Sequence, residues 1–269
     1  MLTLDNGSLE VEILDPVADR ERFGVRYCTG GYVFQVRDHR LGDLLSGPTF
    51  PASFNWFDGQ GLPDAFNLNP LQSTRTLGEA AIIGIGVCDL HAKRVKSFCD
   101  WRIERSDAEI VFTTAQAYED WAFTLVRTVA LIGRTVRSHT ALANTGKSFV
   151  PVRWFPHPFY PQPEHDELLW VNAPLRWRDA AGYRRLPNGF IARDGVWTDG
   201  RYLPLEHDAT APLVVLQRHP LLGLATAQLS YVPDFFPIWG NRFTMSWEPF
   251  LERMVAPGTT LDWTIDYTF

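Results

Sequence analysis

The sequence predicts an all-β protein, a sandwich or a barrel, on three observations. Hydrophobic and polar residues alternate at a period of two along much of the chain, Gly and Pro punctuate these runs, and no apolar stripe at helical spacing persists for the length of a helix. A period of two is the signature of strands because successive side chains point to opposite faces.

Taken in order, Leu9, Val11 and Ile13 alternate with Glu10 and Glu12 and open the chain with a strand. Residues 15–23 and 163–169 each have room for a turn or two of helix. Residues 48–69 are rich in Gly, Pro and Asn and carry Phe50, Phe54, Trp56, Phe57 and Phe66. That stretch reads either as a long loop packed down by its rings or as an aromatic loop built over a site. Residues 123–132 and 135–142 are β-rich runs split by Gly133-Arg134, a hairpin signal. Residues 213–217 and 222–229 form a second such pair around Arg218-His219-Pro220. At the end, Leu261, Trp263, Ile265, Tyr267 and Phe269 share one face, while Asp262, Thr264, Asp266 and Thr268 share the other, a strand with one dry side. Neither repeats nor a low-complexity linker divide the chain, so residues 1–269 read as one domain.

Composition narrows the function. A net charge of -6 and no Lys/Arg cluster argue against a nucleic-acid partner. The N-terminus lacks a basic segment followed by an apolar one, and no long apolar run follows, so no membrane partner and a cytoplasmic location are expected. Cys28, Cys88 and Cys99 offer no CxxC spacing, and no two of the seven histidines lie two to four positions apart. No metal and no cofactor are therefore expected. Gly84-Ile85-Gly86 lacks a third glycine for a dinucleotide loop, and no GxSxG, P-loop or HExxH motif is present. Aromatic residues make up 13% of the chain, ten of them Trp. Rings in that number either fill a core or offer faces on which a pyranose can stack.

Two segments carry candidate chemistry. In Val150-Pro151-Val152-Arg153-Trp154-Phe155-Pro156-His157-Pro158-Phe159, a strand runs into a histidine held between two prolines. Proline fixes its own φ and forces the preceding residue to be extended, so His157 is either a packed strand-end ring or an aimed acid. In Phe243-Thr244-Met245-Ser246-Trp247-Glu248-Pro249, alternation puts Phe243, Met245 and Trp247 on a dry face and Thr244, Ser246 and Glu248 on a polar one. Glu248 is there either a solvated charge on an outer face or a base in an aromatic setting.

These segments resemble the aldose 1-epimerase, or galactose mutarotase-like, family. The likeness runs through Ser138-His139-Thr140-Ala141-Leu142-Ala143-Asn144-Thr145-Gly146, then Trp154-Phe155-Pro156-His157-Pro158-Phe159. It closes with Ser246-Trp247-Glu248-Pro249, Ala256-Pro257-Gly258, Trp263 and Tyr267-Thr268-Phe269. The resemblance implies a β-supersandwich and cofactor-free interconversion of the α and β anomers of a small-molecule sugar. It further implies that His157 is the general acid and Glu248 the general base. A carboxylate with pKa about 4.3 and an imidazole near about 6.5 suit those roles. The two are expected to flank a pyranose with roughly 5–8 Å between functional atoms. Trp56, Arg153, Trp154, Phe159 and Trp239 are the candidates for substrate binding, from their neighbourhoods. The family's early His-Gly pair has no match here: the corresponding stretch, Gly84 to Lys93, offers only His91, which reads as a loop histidine. A non-catalytic carbohydrate-binding or regulatory protein on the same fold, and another sugar isomerase or lyase, remain as alternatives. A phosphosugar would require an arginine cluster, for which Arg75, Arg94 and Arg153 are available.

Overall fold

The computed structural model describes residues 1–48, 59–178 and 182–269. Its architecture follows from where alternation puts the rings. In the C-terminal strand Thr260–Thr268, Trp263, Ile265 and Tyr267 are buried on one face, and Phe269 follows them. This strand lies inside the largest sheet, between Thr135–Asn144 and Gly223–Leu229. That sheet runs Arg102–Arg105, Glu109–Tyr118, Trp121–Ile132, Thr135–Asn144, Thr260–Thr268, Gly223–Leu229, Val214–His219, Glu167–Val171, Ile191–Arg193 and Tyr183–Arg185, with every neighbour antiparallel.

The dry face of the C-terminal strand packs on two smaller sheets. One contains Leu251–Val255, Val150–Pro156 and Asp64–Ala65; the other contains Tyr160–Pro161, Thr244–Trp247, Phe236–Gly240, Arg201–His207 and Leu175–Arg176. Trp154 meets Trp263 at 5.1 Å between ring centroids, Trp247 stacks on Tyr267 at 5.9 Å, and Tyr160 lies 6.3 Å from Phe269. Ring-on-ring packing between layers makes a sandwich core, and such pairs add about 0.5–1.5 kcal/mol each beyond their buried area. Two four-stranded sheets, Leu2–Asp5 through Gly42–Asp43 and Leu71–Gln72 through Arg94–Phe98, complete the all-β architecture.

The first predicted hairpin forms with Gly133-Arg134 as a two-residue turn between paired Ile132 and Thr135, Gly133 supplying φ +58°. In the second, the strand continues through Arg218 and His219, which pairs with Gly223, so the turn is Pro220-Leu221-Leu222. The histidine holds that turn: Nδ1 accepts the N–H groups of Leu221 and Leu222, and Nε2 bonds the Leu44 carbonyl at 2.8 Å. Residues 15–23 hold one short 3₁₀ turn, Arg20–Arg22. Residues 163–169 hold no helix; Glu167–Val171 is a strand, because its Leu168, Leu169 and Val171 are needed in the core. Gly84-Ile85-Gly86 turns a hairpin in which Ile82 pairs with Gly86. A Cβ on Gly84 would sit 2.3 Å from the Cys28 sulfur, so this glycine serves close packing.

Candidate active site

The strand Val150–Pro156 sorts its residues by parity. Val150, Val152 and Trp154 enter the core, whereas Arg153 and Phe155 face outward. His157 continues the outward set. It is fixed through its main chain: its N–H donates to the Pro63 carbonyl at 2.8 Å, and the Phe159 N–H donates to the Gly61 carbonyl at 2.7 Å. Gly61 adopts φ +77° with its Cα pressed on the Phe34 carbonyl, where a Cβ would lie 2.3 Å from that oxygen.

Thr244–Trp247 divides in the same way. Met245 and Trp247 belong to the core, while Thr244, Ser246 and Glu248 occupy the opposite face. That face is not solvated: Ser246 is fully buried and Glu248 is 8% exposed. It lies under a second cluster of rings, among them Tyr27, Tyr32, Phe155, Phe159 and Phe250. The reading of Glu248 as a charge on a wet surface is thereby overturned.

The two faces converge on one pair. His157 Nε2 lies 3.4 Å from Glu248 Oε1, and His157 Nδ1 lies 2.8 Å from Ser246 Oγ. The expected separation of about 5–8 Å is therefore too large; the functional atoms are in direct reach of each other. The imidazole stacks on Phe159 (4.4 Å, 22°) and meets the edges of Tyr27 at 6.3 Å and Trp239 at 6.1 Å. Rings thus pack against it on several sides.

Burial inverts the usual order of the two pKa values. Loss of hydration pushes the Glu248 carboxyl up to about 7, with the Arg26 charge opposing. The same loss, helped by Arg26, holds His157 well below the ordinary imidazole value. Burial thus disfavours an ionised carboxylate beside an imidazolium, and in the one-proton form of the pair the proton is held more firmly by the carboxyl. Burial first, and then the Glu248 charge, raises the phenols of Tyr183 and Tyr202 above their ordinary value.

Other candidates divide. Phe159 and Trp239 touch His157 directly. Arg153 sits at the rim, 5.3 Å over the Phe250 ring and paired with Glu252 at 3.1 Å. Trp154 is not a wall of the site: its parity turns it to the core, where it packs on Trp263 and Tyr231. Trp56 lies outside the described residues. His91 stands in an exposed turn against Gly78. Arg94 pairs with Asp89 and Arg75 lies in an exposed turn, on a different sheet from Arg153, and no contact gathers the three. Ser246, Tyr27 and Arg26 were not singled out by sequence reasoning. Ser246 had a signal, its shared face with Glu248; Tyr27 and Arg26 had none. Among the described residues no three His, Cys, Asp or Glu side chains could hold a metal ion, and no helix is long and apolar enough to cross a membrane.

No family model and no curated protein sequence matches the chain. Solved structures do. A galactose mutarotase related enzyme from Lactobacillus acidophilus superposes with a TM-score of 0.63 at 13% identity, covering 99% of this chain and 96% of that one. A galactose mutarotase-like protein from Lactobacillus casei gives 0.58 at 14% identity over 100% and 99%. An aldose epimerase homologue from C. elegans gives 0.54 at 9% identity over 99% and 97%. Likeness along nearly the whole length of both chains at such low identity is a likeness of fold, and the chain has the galactose mutarotase-like β-sandwich fold.

Proposed function

We propose that the protein interconverts the α and β anomers of a reducing sugar by acid–base catalysis at His157 and Glu248. The observation that carries this reading is the 3.4 Å approach of a buried imidazole and a buried carboxyl beside a cluster of aromatic rings. The anomeric hydroxyl and the ring oxygen sit on the same carbon, so two groups this close can reach both. Glu248 accepts the anomeric proton as His157 Nε2–H protonates the ring oxygen. The ring opens, the aldehyde rotates, and closure on its other face returns both protons. Hydroxyls of the sugar replace some of the hydration lost on burial and so favour moving the shared proton from carboxyl to imidazole. Ser246 accepts from Nδ1–H and keeps Nε2 directed at the substrate.

The test is two-dimensional NMR exchange between anomers over a panel of aldoses. Catalysis needs one proton on the pair. That proton is present below about pH 7 and is lost as the pH rises through the raised Glu248 value. The kcat/KM for exchange is therefore expected to fall as pH rises through about 7, with a lower limb set by the depressed His157 value. A rate rising across that interval would remove the shared proton from the mechanism.

Because the proposed proton transfers use only side chains of the chain, exchange should be insensitive to dialysis against a chelator. Loss of activity that zinc or manganese restores would overturn this expectation.

A further inference from the structure

A cleft of about 740 Å³ lies on the five-stranded sheet, lined in part by Arg176, Trp177, Pro204, Glu206, Asp234 and Phe235. Neither His157 nor Glu248 lines it, yet strand register connects it to them. Residues directly opposite in antiparallel strands share a face. Ser246 faces Trp239, which faces Tyr202. One row along, the Glu248 N–H donates to the Pro237 carbonyl, and Pro237 faces Pro204. In the next row Phe250 pairs with Phe235, and on the outer strands Glu206 faces Arg176. The core takes the alternate residues, Leu203, Leu205, Phe236 and Ile238. One sheet face is therefore shared by Glu248, Pro237, Pro204 and the cleft, buried at Glu248 and Pro237 and exposed from Pro204 onward. Arg176 stands three strands from Glu248, roughly 14 Å at the usual strand spacing, beyond the span of a single pyranose.

The chemistry of the cleft points to a neutral polyhydroxyl ligand. Its charges are matched in number, Arg176 and Arg178 against Glu206 and Asp234, and Arg176 is also paired with Asp208 and Asp234 with Arg253. Trp177 and Phe235 offer ring surface, and Glu206, with its side chain 74% exposed, offers carboxylate oxygens to hydroxyl donors. The volume lies within the range of small-molecule sites.

Resting on the anomer-exchange reading, we propose that the substrate is a reducing oligosaccharide. Its terminal ring meets His157 and Glu248 from one side, and its following units run along the same sheet face, past Pro204, into the Trp177 cleft.

The experiment compares anomer exchange on a neutral monosaccharide with exchange on reducing di- and trisaccharides of the same unit, in wild type and in Trp177→Ala. The kcat/KM is expected to rise about tenfold from mono- to trisaccharide, the worth of one stacked ring, and Trp177→Ala should collapse that ratio towards one. Glu206→Ala, at an exposed position, serves if Trp177→Ala does not fold. Calorimetry with the corresponding methyl glycosides, which cannot exchange, reads the cleft separately. Trp177-dependent binding that strengthens with chain length, without exchange of any sugar, would leave the cleft assignment standing and refute the catalytic reading. Equal rates and equal affinities for all lengths, an unchanged ratio in both variants, or a preference for phosphorylated or uronic sugars would overturn the proposal.

Discussion

Glu248→Gln is expected to lower anomer exchange by about 100- to 10,000-fold, the usual worth of a positioned general base, while sugar affinity changes little. Glutamine nearly matches the carboxyl in shape and still hydrogen-bonds a hydroxyl, but it cannot take the anomeric proton. The structure also predicts that the loss is not one of folding. With its folded pKa raised to about 7 by burial, Glu248 favours the fold in its protonated form. That contribution is complete below the ordinary carboxyl value and is lost as pH rises through about 7. Glutamine stays neutral throughout, so the variant should melt no lower than wild type at pH 8 and show a flatter dependence of Tm on pH. NMR exchange, calorimetry and thermal denaturation read the three quantities. An equally active variant would remove Glu248 from the mechanism. A wild type that binds sugars without accelerating exchange would make a carbohydrate-binding protein the better account.

The second large effect lies beneath the site. Arg127 and Asp64 form a two-pronged buried ion pair, Nη1 to Oδ1 at 2.7 Å and Nη2 to Oδ2, with side chains 2% and 7% exposed. Burial works against the guanidinium charge, but the attraction of Asp64 outweighs it and holds Arg127 above its ordinary value. Asp64 lies on the short strand that pairs with Phe155 and Pro156, and its carbonyl accepts the Cys28 N–H at 2.8 Å. Its neighbour Pro63 supplies the carbonyl that fixes His157. Asp64→Ala strands a buried guanidinium and is expected to cost about 3–5 kcal/mol, whereas replacing both partners by apolar side chains of similar volume should recover most of it. Urea denaturation measures this as a lowered midpoint at unchanged slope. An Asp64→Ala loss under about 1 kcal/mol would show that the pair is solvated.

The sequence by itself determined the class of fold. Alternation at Leu9–Ile13, through Trp121–Ile132 and along Thr260–Thr268 is a local property, because each strand carries its own dry face whatever it pairs with. Parity likewise put Ser246 and Glu248 on one side of a strand, and the flanking prolines marked His157. Parity does not say whether a polar face meets water or another layer, so only the tertiary structure buried Glu248 beneath the rings of Tyr27, Phe155 and Phe159. It also turned Trp154 inward, an outcome already contained in the parity of Val150 and Val152 but masked by the nearness of Trp154 to His157 in sequence. The 3.4 Å approach of residues 91 positions apart, and the Arg127–Asp64 pair 63 apart, depend on which strands become neighbours. The reversed protonation order follows from that packing: desolvation belongs to the space around a group, and no spacing of residues along the chain encodes it.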